Sequence, residues 1–190
     1  MVSDTIFYFN DFETKDLSGI TGGEITVFDG NKVLGTYFRS GFDLNLHGIP
    51  EHDYLLVTFD LFIHDSWDGN ISSYIGPDLW FLLLDGQEII YTSFANGLCN
   101  SVYCPQQTYP ENGLRFNNPE TGATKRNLPA WCTSNEVSHS STLYSISKIV
   151  GHTSSKASVR FFDQLTNPTE DKCDESWSLD NLKITLLRTN

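Results

Sequence analysis

The sequence predicts an all-β fold: two antiparallel sheets packed as a β-sandwich with jelly-roll connections. Alternating runs rich in β-branched and aromatic residues recur along the chain, and no segment keeps a helical stripe of apolar residues for three turns. Asp29-Gly30-Asn31 and Asp85-Gly86 supply hairpin turn chemistry between neighbouring runs. About ten strands at this spacing call for two packed sheets rather than a small barrel.

In chain order the expected strands are Thr5–Phe9, Glu24–Phe28, Val33–Phe38, Phe42–Leu46, Tyr54–Ile63, Leu79–Leu84, Gln87–Ser93, Thr142–Ile149, Lys156–Phe162 and Leu179–Leu187. Tyr54–Ile63 reads as central, because Leu55, Val57, Phe59, Leu61 and Ile63 alternate onto one face while Leu56 and Phe62 add apolar area to the other. Phe7, Phe9, Val159, Phe161, Leu182, Ile184 and Leu186 are expected in the same core, with Trp80 inside the apolar run Leu79–Leu84. At about 95–141 the alternation fails. This stretch is rich in Asn, Pro, Gly, Ser and Thr, holds three of the four cysteines and offers one short strand near Leu114–Phe116. A loop excursion this long is either a binding surface or an insertion that covers a sheet edge. No linker divides the 190 residues, and residues 1–190 are read as a single domain.

A formal net charge of -12, from 24 acidic and 12 basic side chains, argues against a nucleic-acid backbone or an anionic membrane surface as partner. It favours cations, although an acidic surface also serves solubility. No stretch approaches the roughly 20 apolar residues that span a bilayer. The start lacks a basic segment followed by an apolar core, so a signal peptide is expected to be absent or already removed. Cys99, Cys104, Cys132 and Cys173 show no Cys-x-x-Cys spacing and lie in polar loop sequence, which favours disulfides over zinc or buried thiols. Three pairings are possible; the short spacing favours Cys99–Cys104, leaving Cys132–Cys173 to staple the excursion beside a late acidic segment. Disulfides place the chain outside the cell, secreted or on a cell surface.

Two acidic segments, each around a tryptophan, carry the chemistry. The first is Asp65-Ser66-Trp67-Asp68-Gly69-Asn70, with Asp78 where the same loop re-enters a strand. The second is Asp174-Glu175-Ser176-Trp177-Ser178-Leu179-Asp180-Asn181 at the entrance to the last strand. If that strand pairs antiparallel with the first, Asp11 and Glu13 join it. Calcium takes six to eight hard oxygen ligands in irregular geometry, and the EF-hand spacing is absent, so Asp65, Asp68, Asn70 and Asp78 form one candidate site. Asp174, Glu175, Asp180 and Asn181, with Asp11 and Glu13, form a second; a single shared ion follows if both loops meet at one end of the sandwich. The opposing reading is that these residues are solvated turn formers. Asn70-Ile71-Ser72 is a glycosylation sequon expected to be unused, because Asn70 belongs to the first segment.

A flat apolar ring bordered by hydrogen-bonding groups suits a pyranose. Trp131, with Tyr103 and Tyr109 in the same excursion, is the expected platform. Trp67 is a further candidate, although it and Trp177 are expected to pack beneath their loops. His47, His52, His64, His139 and His152 show no metal or catalytic grouping, and no nucleophile elbow or phosphate loop is present. A non-catalytic protein is the expectation, with a hydrolase using two of the acidic residues as the alternative.

Asn10-Asp11-Phe12-Glu13 and Trp177-Ser178-Leu179-Asp180-Asn181-Leu182-Lys183-Ile184 resemble the bracketing strands of jelly-roll, galactose-binding-like carbohydrate-binding modules. The resemblance implies a structural calcium at Glu13 and Asp180, extending to Asp11 and Asn181. The block from Phe59 through Asp65–Asn70 to Trp80 looks like domains of large secreted or surface-attached proteins, which implies recognition or adhesion. The cysteine-bearing excursion departs from the usual module and would cover or replace its ordinary ligand groove. The expected function is an extracellular calcium-binding module that recognises a glycan or cell-surface partner. The alternative is a structural subunit of a filament, coat or appendage that self-associates through protein contacts.

Overall fold

The computed structural model describes residues 2–72, 76–97, 99–100, 103–132, 140–166 and 172–189. Among the described residues, twelve strands form two sheets. β1 (Val2–Asn10), β3 (Ile25–Phe28), β4 (Asn31–Tyr37), β6 (Tyr54–Asp65), β9 (Lys125–Leu128), β10 (Ser141–Gly151) and β12 (Glu175–Thr189) make the larger sheet, in the order β3-β4-β12-β6-β10-β9. β1 lies against the C-terminal part of β12, where Val2 pairs with Thr189 and Asn10 with Leu182. β2 (Ile20–Thr21), β5 (Gly41–His47), β7 (Leu79–Leu84), β8 (Gln87–Ser93) and β11 (Lys156–Gln164) make the smaller, in the order β2-β5-β11-β7-β8.

Every described pairing is antiparallel. Taking β4, β5, β6, β7, β8, β10, β11 and β12 in turn, the larger sheet carries β4-β12-β6-β10 and the smaller β5-β11-β7-β8. Apart from the β7–β8 hairpin within the smaller sheet, the chain therefore alternates between sheets, and two interleaved Greek keys of this kind are a jelly roll. No described helix is long and apolar enough to cross a membrane.

The core lies between the sheets and is mostly aliphatic, with a band of aromatic rings through it. Phe59 of β6 meets Phe161 of β11 edge-on at 5.2 Å between centroids, and Trp177 of β12 meets Trp80 of β7 at 5.8 Å. The inward face of β6 is the alternating set Leu55 to Ile63, all buried, as its pattern requires. Phe9 is a correction: its pairing with Lys183 turns it to the outer face, where it is 54% exposed.

The excursion also differs from expectation. Leu114–Phe116 is no strand; Leu114 and Phe116 are 63% and 62% exposed, and the neighbouring backbone closes one bridge between Gln107 and Asn117. The strand lies instead at Lys125–Leu128, a polar edge on β10. Gln107 anchors the excursion from a buried position. Its Oε1 accepts from Ala95 N (3.2 Å), Glu120 N (2.9 Å) and Tyr144 Oη (3.3 Å), and its Nε2 donates to the carbonyls of Tyr109 and Thr121. Cys99 is bonded to Cys104 and Cys132 to Cys173, the expected pairing. His139 lies outside the described residues.

Candidate functional site

The two acidic segments meet, but not as two separate sites. Three carboxylates converge: Asp68, Asp78 and Glu175 each present an oxygen within 4.8 Å of the other two. Each arrives by a different route. Asp68 follows the end of β6, where a bridge to Ala95 fixes the loop. Gly69, at φ 64°, lets the carbonyl of Gln106 pass where a Cβ would stand 2.3 Å away, and the Asn70 amide donates to that carbonyl at 2.7 Å. Asp78 immediately precedes β7, and its amide donates to the carbonyl of Gly69 at 2.9 Å. Glu175 opens β12 and pairs with Asp65 across the ladder.

Trp67 and Trp177 make the floor. Both are fully buried; Trp67 Nε1 donates to the carbonyl of Ser176 at 2.9 Å and Trp177 Nε1 to Asp163 Oδ2 at 2.7 Å. This is the packing role expected of them, and burial excludes Trp67 from contact with a ligand. Tyr109 is likewise buried, against Phe94 and Tyr144. Tyr103 is 39% exposed, and its hydroxyl donates to Asp68 Oδ1 from the small loop closed by Cys99–Cys104.

Asp78 and Glu175 are buried, and apart from a proton that the two carboxyls can share, Asp78 Oδ1 and both carboxyl oxygens of Glu175 lack a hydrogen-bond donor. Burial, reinforced by the neighbouring carboxylates, pushes both groups well above the usual carboxylate range. A carboxylate without donors in a buried place is costly unless a proton or a cation neutralises it. The donor set is all oxygen and anionic, which suits calcium or magnesium rather than a soft metal. Three carboxylates suit such an ion, and Asp68 is the least buried of them. A bound divalent cation would supply the positive charge that these three oxygens lack.

The remaining candidates divide. Asn70 leaves the cluster: its Oδ1 accepts from Ser93 Oγ (2.6 Å) and Thr108 Oγ1 (3.1 Å), while its amide nitrogen donates to the carbonyl of Arg115. Asp65, buried and at φ 62°, turns away to accept from the Trp131 amide; burial first and Asp174 second raise its pKa to about 7. Asp174 binds Ser66 Oγ through Oδ1 at 2.7 Å. Asp180 lies five residues beyond Glu175, and an odd step along a strand reverses the face. It belongs to a β-bulge inside β12, with Asn181 at φ 52°, rather than to the strand's entrance. Burial, with Asp60, Asp11 and Glu13 nearby, raises Asp180 to about 6. Asp11 and Glu13 do adjoin Asp180, as expected, but they do not converge as ligands. Glu13 instead faces Lys32 Nζ at 3.5 Å, and Asn181 Nδ2 donates to Asp60 Oδ2 at 2.9 Å.

Trp131 is half-buried rather than freely exposed. Its ring lies 5.4 Å from His64 and 6.1 Å from Phe28, beside a groove of about 620 Å³ lined by Thr26, Val27, Phe28, Asp29, Pro129 and Ala130. His64 is fully buried and neutral, burial pushing it down to about 3. Ser141 Oγ donates to the carbonyl of Pro129, so it accepts from His64 Nδ1, and His64 Nε2 then accepts from Ser178 Oγ. The groove and the carboxylates are mechanically joined. Cys132 follows Trp131, and its partner Cys173 stands two residues before Glu175. The residue missed by sequence reading is Gln107, which lies in loop composition without periodicity.

No family model matches the chain, and no curated protein matches it. Among solved structures it is similar to the native structure of a family 35 carbohydrate binding module from Clostridium thermocellum. The identity is 9%, the TM-score 0.42, and 96% of this chain and 97% of that chain are covered. It is also similar to CBM51 from Clostridium perfringens GH95 in complex with methyl-galactose, at 11% identity and TM-score 0.40, over 93% of this chain and 99% of that chain.

Proposed function

We propose that the protein is a non-catalytic, extracellular recognition module. In it one calcium ion, held by Asp68, Asp78 and Glu175, orders the loop-rich end, and the Trp131 groove takes a glycan. The observation that carries the reading is the convergence of three carboxylates whose buried oxygens lack donors. The ion neutralises them and fixes the start of β12. Through Cys132–Cys173 and the Trp131 amide on Asp65, that fixes the floor of the groove. The apolar ring of Trp131, bordered by Thr26 and Asp29, offers a stacking face with polar neighbours. Two disulfides support an oxidising, extracellular setting.

The test is thermal unfolding in calcium and in chelator, followed by a glycan array under both conditions with wild type and Trp131→Ala. Calcium at a hundredfold its Kd should stabilise the native state by about 2.7 kcal/mol. Glycan binding should need calcium and be lost in Trp131→Ala. An unchanged midpoint with no bound ion by calorimetry overturns the metal centre. Glycan binding indifferent to Trp131 overturns the groove.

A further inference from the structure

At the end of the sandwich remote from the carboxylates, three loops are joined by a line of hydrogen bonds through two histidines. His52 Nδ1 lies 2.7 Å from the carbonyl of Pro50, His52 Nε2 lies 2.7 Å from His152 Nδ1, and His152 Nε2 lies 3.1 Å from Asp85 Oδ2. His52 comes from the β5–β6 connection, His152 from the β10–β11 connection and Asp85 from the β7–β8 turn. Both imidazoles are nearly enclosed, and their rings lie end to end, with planes 18° apart and centroids 5.0 Å apart.

The proton count of this line is fixed by its partners. A carbonyl only accepts, so His52 Nδ1 carries a proton. The inter-ring bond needs one proton between its two nitrogens, and the bond to Asp85 needs one more. Three hydrogen bonds need three ring protons, whereas two neutral imidazoles hold only two. The complete line therefore carries one positive charge, shared by the pair and faced by the Asp85 carboxylate. Asp85 is well placed as that anion: its side chain is half exposed, and its other oxygen accepts from the Ser158 amide at 2.8 Å. A fourth ring proton would set two N–H groups against each other across 2.7 Å.

We propose that His52 and His152 form a one-proton clasp, a pH-sensitive device that ties the β5–β6, β7–β8 and β10–β11 connections together while the pair holds a single shared charge. Loss of that proton removes one of the three bonds and leaves His152 Nε2 or the inter-ring contact without a hydrogen. Among its other charged neighbours, Asp53 accepts from Thr189 N and Oγ1 through Oδ2 and adds a second negative charge on the His52 side, Glu51 pairs with Arg188 at 3.0 Å, and Lys156 and His47 stand opposite each other at the adjoining strand ends. Asp85 is the anion in direct hydrogen-bond contact with the pair and, with Asp53, favours the protonated form. The His52 amide precedes Asp53, whose carbonyl accepts from the His152 amide at 3.0 Å, so the rings reinforce a backbone tie between the same loops.

The test uses the full chain with ¹⁵N-labelled histidine, in chelator, so that it is independent of the metal centre. Ring nitrogen spectra from pH 5 to 9 should show His52 and His152 exchanging one proton as a unit, with three ring N–H signals at the acidic end of the transition. Asp85→Asn supplies the contrast: its amide keeps the acceptor for Ser158 and donates to His152 Nε2, so the line is complete with a neutral pair. That variant should lose the joint transition, and wild type should lose roughly 2 to 4 °C of melting temperature relative to it across the same range. Two histidines that titrate independently, or a wild-type pair that is neutral throughout, overturn the clasp. The wild-type spectra decide this even where Asp85→Asn does not fold.

Discussion

Glu175 carries the sharpest conflict at the scale of single residues. It is 1% exposed, its carboxyl oxygens have no donor beyond a proton shared with Asp78, and the charges of Asp78 and Asp68 stand against it. Replacing the carboxyl by an amide of the same shape removes a charge that only a proton or a cation can balance. Glu175→Gln is therefore expected to raise the stability of the ion-free protein by on the order of 1 kcal/mol at neutral pH. The same variant should lose the calcium-dependent rise in melting temperature. Asp180→Asn should keep that rise, because Asp180 belongs to the opposite face of β12 with Asp60, Asp11 and Glu13. Melting curves of the three proteins in calcium and in chelator check both statements. Equal loss in both variants would mean one extended site after all.

The longer strands were legible as elements because each carries its own pattern. Tyr54–Ile63 puts an apolar residue at every second position from Leu55 to Ile63, and Leu79–Leu84 is an apolar run bounded by a turn. Lys125–Leu128 was not, since it reads Lys-Arg-Asn-Leu and its ladder lies at an edge where no side chain need be apolar. The clustered carboxylates were legible as a list and not as a grouping. Asp68 and Asp78 lie 97 or more residues from Glu175, so their meeting depends on tertiary adjacency. The odd spacing of Glu175 and Asp180 did hold a usable signal. The disulfides were readable from spacing, and they differ in what they stabilise. Cys132–Cys173 closes a separation of 41 residues and Cys99–Cys104 one of 5. Chain entropy gives about 4 kcal/mol for the first and about 2 kcal/mol for the second. Replacing each pair by serine should show that order in denaturant unfolding, and loss of the longer bridge should also weaken any ligand that Trp131 holds.

Across the whole molecule, protonation and the proposed calcium would oppose each other. Asp163 and Asp180 are raised to about 6 and Asp65 to about 7, and Asp78 and Glu175 are also raised, in every case first by burial. A carboxyl with a raised folded pKa binds more protons folded than unfolded. Its contribution to stability is complete below the unfolded value near 4 and is lost as pH rises through the folded value. His64, lowered to about 3, acts in the other direction: its contribution is complete above the unfolded value near 6.5 and falls as pH drops toward 3. Five raised carboxyls against one lowered histidine give a net decline with rising pH for the ion-free protein. In chelator, the melting temperature should therefore fall from pH 5 to pH 8. Calcium must displace the protons on Asp78 and Glu175 before it can use their oxygens, so its hold strengthens as pH rises. The rise in melting temperature on adding calcium should accordingly be small at pH 5 and large at pH 8, with proton release measurable by calorimetry in buffers of different ionisation enthalpy. A calcium increment that does not change over this range would mean that the ion binds elsewhere, at carboxylates already ionised at pH 5.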